Sequence, residues 1–217
     1  VMANELLGCM VTEAGMGATW AVNSGENRLT PWSNDPVSDP SGEAVYLRDE
    51  ETAEVWSATP HPAGPPAPFE VRHGAGYTTY GHTSHGLDQL LEVSVAATAP
   101  VKLVRLSVKN LLARPRRVTV TYYAEWVLGV DRPSTHLHVL HDYDPERCVL
   151  LARNPYAEEF AGRVAFLASN KSPHGMTTDR REFLGRMGSP AAPDGLRRIG
   201  FSGSTNPGGV PCPALQP

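Results

Sequence analysis

The sequence has few cysteines, and their spacing fits neither a zinc site nor a disulfide framework. Its 217 residues include three, Cys9, Cys148 and Cys212, which lie far apart without any Cys-x-x-Cys pair. An odd number of widely separated thiols is typical of reduced cysteines in a reducing compartment. We therefore expect no metal site and no structural disulfide.

Long apolar runs and one-sided charge are also absent. No stretch approaches the ~20 consecutive apolar residues of a membrane-spanning helix, and residues 1–5 lack the basic start of a signal peptide. The formal net charge is -4, with 19% charged residues and no basic stripe. These features predict a cytoplasmic location, no direct membrane contact and no nucleic-acid partner.

A strong alternation of apolar and polar residues is present instead, clearest at residues 91–95, 104–108 and 118–126. Because a β-strand places successive side chains on opposite faces, this period indicates strands with one buried face. The pattern predicts an all-β protein built as an antiparallel meander in a two-sheet stack, with few short helices. Further strands are predicted at 6–12, 19–22, 44–49, 53–57, 69–80, 136–142, 148–153, 163–168 and 199–202, and a helical turn at 179–185.

A polar loop at residues 25–36, stiffened by two prolines, is the first candidate for a binding surface. It carries Arg28, Trp32, Asn34 and Asp35. A flat aromatic face beside planar hydrogen-bonding groups is typical of sugar sites. A tryptophan in such a loop can instead plug the edge of a core. The residue types alone leave both interpretations open.

Clusters of titratable residues give no clear catalytic or metal centre. His136 and His138 share one face of a predicted strand, whereas His141 falls on the other face. A third metal ligand would therefore have to come from elsewhere. Carboxylates are numerous between Asp35 and Glu51, but most lie in predicted turns. The sequence does not give the separation between two carboxylates that a glycosidase requires.

Several short motifs, in order along nearly the whole chain, resemble the N-terminal β domain of inverting β-glycoside phosphorylases such as cellobiose and chitobiose phosphorylases. They are Arg28-Leu29-Thr30, Tyr46-Leu47-Arg48-Asp49, Val55-Trp56-Ser57, residues 70–77, and Thr178-Asp179-Arg180 with Phe183 and Gly185. Within that group, residues 26–42 and 150–156 are most similar to cyclic β-1,2-glucan synthases. The resemblance implies a β-supersandwich, two large antiparallel sheets like those of galactose-mutarotase-type domains.

The resemblance also implies a larger parent protein. In the family, a helical linker and a catalytic (α/α)6 barrel follow the β domain, and the barrel carries the general acid and binds phosphate. Residues 1–217 would then form a single β-sandwich domain, a non-catalytic fragment without catalytic residues or cofactor. Its expected partners are a β-glucan oligosaccharide, the barrel of a parent attached to the inner membrane, and a second copy in a homodimer. The alternatives are a purely structural or dimerisation module and a free-standing mutarotase-like epimerase.

In the dimeric phosphorylases, loops of the β domain reach into the active site of the neighbouring subunit. The corresponding stretch here is residues 129–138, and a second one surrounds Trp20 and Asn23. The phosphorylases carry an asparagine and a Gln-Arg pair in this region, and this sequence differs from that pattern. The residues here that would take their place as substrate contacts are Asp131, Arg132, His136 and His138.

Overall fold

The computed structural model describes residues 1–35, 37–205 and 211–216, with side chains at 211–213 and 215 left out. The second proline of the loop at 25–36 and the Cys212 side chain therefore lie outside the described part. The first strands are β1 Met2–Ala3, β2 Leu7–Val11, β3 Met16–Ala21, β4 Glu43–Asp49, β5 Val55–Ser57, β6 Glu70–Gly74, β7 Tyr77–Ser84 and β8 Leu87–Val95. The later strands are β9 Lys102–Asn110, β10 Val118–Ala124, β11 Leu140–Asp144, β12 Val149–Arg153, β13 Ala165–Ala168, β14 Gly175–Asp179 and β15 Pro211–Gln216.

The helical segments are short. They are α1 Arg132–Thr135, α2 Arg180–Phe183, and 3₁₀ turns at Glu158–Phe160 and Asp194–Arg197. The predicted turn at 179–185 is confirmed as α2, and Asp179 caps it by accepting a hydrogen bond from the Arg181 N–H. Among the described residues, no helix is long and apolar enough to cross a membrane.

Within the described part of the chain, the strands form four antiparallel sheets. One has the order β14-β15-β10-β4-β5, and the others are the meanders β1 to β3, β6 to β9 and β11 to β13. The all-β, antiparallel architecture with few short helices is confirmed. The family resemblance implies two large sheets, and the described residues form four smaller ones.

Three clusters of buried side chains show how the sheets are layered around β10. Val120 and Tyr122, on one face of β10, pack in the cluster beneath the β6 to β9 sheet. Ala124, further along the same face, packs with Leu150 of the β11 to β13 sheet. Tyr123, on the opposite face, packs with α2. Two separate sheets therefore cover the same face of β10.

A buried ionic network lies near one end of β4, where Glu43 accepts hydrogen bonds from four groups. They are the hydroxyls of Thr19, Thr30 and Tyr122 and the ammonium of Lys102. Burial alone would raise the pKa of Glu43, but Lys102 and these hydrogen bonds hold it below its usual value. Glu43 is therefore a buried carboxylate that stays ionised because it is fully paired.

The predicted strand at 136–142 is wrong in its first half, since β11 begins only at Leu140. Residues 136–138 instead form a turn that follows α1. The Asp131 carboxylate caps the N-terminus of α1 by accepting from the Ser134 N–H at 2.9 Å. His136 and His138 therefore do not share a strand face. Among the described residues, no group of three or more potential ligands could hold a metal ion.

The predicted strand at 199–202 is also wrong, since these residues belong to no strand. The backbone N–H of Ser202 donates to the Glu182 carboxylate at 2.6 Å, so a side chain takes the place of a ladder partner. Phe201 packs on Phe183, with ring centroids 5.8 Å apart. The apolar spacing of this segment thus reflects packing against α2.

Two buried histidine rings should make the fold sensitive to mild acid. His82 packs on Phe69 with centroids 4.2 Å apart, and His141 stacks on Trp126 at 5.8 Å. Their ring nitrogens are buried without a hydrogen-bond partner among the described residues. The pKa of both rings is lowered to about 4, by burial at His141 and by burial together with the nearby His85 at His82.

The free energy of unfolding is expected to fall as the pH is lowered from 6.5 to 4. An unfolded histidine titrates near 6.5, so in this window the unfolded chain binds more protons than the folded one. The loss at the lower end should be roughly 2–3 kcal/mol for each ring. Urea unfolding across this pH range measures it. The variants His82→Phe and His141→Phe should each flatten the pH dependence, and an unchanged slope in both would contradict the account. His174→Phe, at an exposed position, is the control.

Candidate functional site

The Trp32 side chain is exposed rather than plugged into the core. It keeps 45% of its surface accessible, and the guanidinium carbon of Arg28 lies 5.5 Å from its ring centroid. Arg28 is held in turn, because its Nε donates to the Ser24 carbonyl and its Nη1 to the Val130 carbonyl, both at 2.9 Å. The aromatic ring is therefore a surface feature with a fixed cationic neighbour.

Isolated backbone bridges join segments that lie far apart in the sequence. Arg28 forms one isolated antiparallel bridge with Trp20 and another with Gly129. Arg28 and Gly129 exchange both backbone hydrogen bonds, each at 3.1 Å. A Cβ at Gly129 would lie 2.6 Å from Thr135 Cγ2, so this close approach requires glycine. Residues 20–35, 128–138 and 154–156 thus meet in one surface, which we call the loop cluster.

The α1 segment of the loop cluster is held mainly by its own side chains. Hydrogen bonds from the Ser134 hydroxyl and N–H, helped by the charge of Arg28, lower the pKa of Asp131. Arg132 forms an ion pair with Glu125 at 2.5 Å. His136 Nδ1 lies 3.0 Å from the Arg132 carbonyl, an acceptor, so this nitrogen carries the proton. Asp131 and Arg132 therefore position α1 as well as being candidates for ligand contact.

His138 is connected to the cluster through two residues that sequence reasoning did not select. Its ring lies 4.7 Å from that of Tyr156, which is exposed. The Tyr156 N–H donates to Asn154 Oδ1 at 3.0 Å, and Asn154 Nδ2 donates to the Leu128 carbonyl at 2.9 Å. The similarity of residues 150–156 to the glucan synthases was the one signal in the sequence that could have identified Asn154 and Tyr156.

Backbone strain also occurs in the loop cluster. Val22 has φ 66° and Leu128 has φ 48°, both in the left-handed region that side chains other than glycine rarely adopt. Val22 is β-branched, so its left-handed backbone conformation is especially unfavourable. Its side chain is exposed. The Val22 N–H donates to the Leu6 carbonyl at 3.0 Å, which helps to hold this geometry. Strain of this kind is often found in binding loops.

The Asp35 carboxylate accepts hydrogen bonds from residues of its own loop. It accepts from the Val37 N–H at 3.0 Å and from the Ser38 N–H and hydroxyl. The bonds from Ser38, then that from Val37, lower its pKa. The neighbouring Asn34 is exposed. The structure thus brings Arg28, Trp32 and the α1 residues together. Ligand contact by these residues, and by Asn34 and Asp35, stays a prediction.

The comparisons with known proteins agree with this architecture. The family model described as the glycosyl hydrolase 94 supersandwich domain matches residues 1–217. The chain belongs to this family. The supersandwich domain is 40% identical over 219 residues to the cyclic beta-(1,2)-glucan synthase NdvB of Rhizobium meliloti (strain 1021), covering 99% of the chain and 8% of that protein.

Two phosphorylases are more distant relatives of the supersandwich domain. The N,N'-diacetylchitobiose phosphorylase of Vibrio proteolyticus is 24% identical over 194 residues, covering 85% of the chain and 24% of that protein. The corresponding enzyme of Vibrio furnissii is 27% identical over 122 residues, covering 54% and 15%. The chain thus spans less than a quarter of the length of these relatives. The predicted resemblance to phosphorylases and cyclic glucan synthases is confirmed.

Proposed function

We propose that this supersandwich domain is a non-catalytic, carbohydrate-contacting and assembly domain of a cyclic β-1,2-glucan synthase or a related β-glycoside phosphorylase. It helps to shape the glucan site of a catalytic (α/α)6 barrel in a longer parent protein. The observation that carries the proposal is the loop cluster, in which Arg28 joins residues 20–35 to residues 128–138 and Asn154 bonds to Leu128, beside the exposed Trp32. The similarity to NdvB, 40% identity over 99% of the chain, supports a β-1,2-glucan as the sugar that the domain contacts.

The chemistry of the loop cluster suits a neutral sugar chain. The apolar face of a pyranose ring packs on an aromatic ring, and its hydroxyls bond to planar polar groups. Trp32 offers the ring, and Arg28, Asn34, Asp131, Arg132, His136 and His138 offer donors and acceptors. Because Arg28 and α1 are already held by contacts within the domain, little ordering is required on binding.

The proposal extends to the setting of the domain. It includes a cytoplasmic location, a parent attached to the inner membrane, and a homodimer in which the loop cluster reaches the barrel of the neighbouring subunit. No metal or cofactor takes part in the role proposed for this domain.

Calorimetric titration of the chain with linear and cyclic β-1,2-glucans tests the proposal. We expect measurable binding that Trp32→Ala weakens by tenfold or more, the loss of about 1.4 kcal/mol or more that is typical of an aromatic anchor. Tyr77→Ala is the matched control, because Tyr77 is 44% exposed and Trp32 45%, but Tyr77 lies at the start of β7. Equal losses in the two variants would contradict a site at Trp32.

A structural or dimerisation module without a sugar site is the second candidate. Several candidate side chains bond to groups of the domain itself, which favours a structural role. Asp131 caps α1, Arg132 pairs with Glu125, and Asp35 accepts a hydrogen bond from Ser38 in its own loop. This candidate predicts no heat of binding with either glucan for a folded protein. It also predicts that Trp32→Ala changes self-association rather than sugar affinity.

A further inference from the structure

An open groove separates the two sheets that cover the same face of β10. Its volume is about 1380 Å³. Residues of β9 line one side, residues of β13 line the other, and Val120 and Tyr122 of β10 lie between them. β9 is the terminal strand of its sheet, and β13 is the terminal strand of the other. Two strand edges that have no partner strand among the described residues therefore border one groove.

The backbone pairing of β8 and β9 shows which groups of β9 face the groove. At one end of the ladder, Ala96 N–H donates to the Val101 carbonyl at 2.9 Å. At the other end, Leu111 N–H donates to the Gly86 carbonyl at 3.0 Å. Because hydrogen-bonded and non-bonded pairs alternate in an antiparallel ladder, odd-numbered β9 residues bond to β8. The backbone groups of even-numbered residues from 102 to 110 point away from β8, toward the groove.

The groove is apolar where a covering strand would lie. Val120 and Tyr122 are only partly buried, although β10 is the central strand of its sheet. Leu103 of β9 and Phe166 of β13 line the groove and are exposed. An internal strand normally has such a face covered, and free edges normally are paired, covered or blunted. Neither condition is met along this groove by the described residues.

We propose that an extended segment of the longer parent polypeptide, from outside residues 1–217, occupies this groove as a β-strand. It pairs with the free edge of β9 and joins the β6 to β9 and β11 to β13 sheets into one layer. Its apolar side chains, at alternate positions, cover Val120 and Tyr122. The relatives support an occupant from the same polypeptide, since more than three quarters of their length lies outside the matched region. Addition of a strand to an open edge is a common mode of recognition.

Residue-resolved hydrogen exchange tests the proposal on the 217-residue chain and on the longer protein that contains it. In the chain, amides of Val104, Leu106 and Val108 should exchange at least tenfold faster than those of Arg105 and Ser107. In the longer protein, all five should be protected. The same fast exchange in both proteins would overturn the proposal. Protection in the isolated chain that rises with its concentration would overturn it in favour of a second copy as occupant.

Proline substitutions provide a second measurement. Val108→Pro removes an N–H that points toward the groove, whereas Lys109→Pro removes one that bonds to Asp88 on β8. In the isolated chain, Lys109→Pro should lower the unfolding midpoint and Val108→Pro should change it little. In the longer protein, Val108→Pro should lower the midpoint as well. A Val108→Pro effect equally small in both proteins would argue against a strand paired to β9.

Discussion

Replacement of Glu43 by alanine is expected to lower the free energy of unfolding by about 3–5 kcal/mol. The carboxylate is buried, and its removal leaves the largely buried Lys102 ammonium without its charged partner. The hydroxyls of Thr19, Thr30 and Tyr122 lose the same acceptor. A buried charge deprived of its partner is far more destabilising than the intact pair is stabilising.

Urea unfolding at neutral pH measures the effect of Glu43→Ala, and an exposed carboxylate provides the control. Glu70 pairs with Arg72 at 2.6 Å, with most of both side chains accessible. Glu70→Ala should therefore change stability by less than about 1 kcal/mol. Similar effects of the two substitutions would show that the Glu43 network does not contribute as described.

Replacement of Trp56 by alanine should lower the free energy of unfolding by about 3–5 kcal/mol, through the loss of a buried aromatic ring. Trp56 is fully buried on β5 and stacks on His85 with centroids 4.0 Å apart. Its indole N–H donates to Gln89 Oε1 at 2.8 Å, and Gln89 is buried too. The variant thus combines a cavity with an unsatisfied acceptor.

Two further tryptophan variants separate these contributions in thermal or urea unfolding. Trp56→Phe keeps most of the ring but not the N–H, so it should be destabilised by about 1–3 kcal/mol. Trp32→Ala, at the exposed tryptophan, should stay within about 0.5 kcal/mol of the parent chain. A large loss of stability in Trp32→Ala would contradict its surface position and would also weaken its use in the glucan titration.

The regular strands could be predicted from the sequence because alternation is a local signal. Residues 91–95 and 104–108 lie within β8 and β9, where each strand has one face on the core. The prediction was wrong where a local cap or a tertiary contact decided the conformation. Asp131 starts α1 in a segment read as a loop, and Phe201 packs on α2 in a segment read as a strand.

The loop cluster could be predicted only in parts. The aromatic and polar residues near Trp32 were recognisable from their types, and the stretch 129–138 from the family resemblance. Their meeting depends on the contact of Arg28 with Val130, 102 positions along the chain, which no local pattern encodes. The contribution of Tyr156 depends in the same way on its packing with His138. Long-range pairing of this kind is set by the whole fold.

The most direct test of the account is the titration of the isotope-labelled chain with cyclic β-1,2-glucan, followed by amide and indole NMR shifts up to millimolar concentration. The account predicts shifts in the loop cluster, led by the Trp32 indole and the amides of Arg28, Val130 and residues 131–138 apart from Pro133. It predicts none around Tyr77, the exposed aromatic residue at the start of β7. A folded protein whose loop-cluster shifts do not move, or whose shifts move only elsewhere, would contradict it.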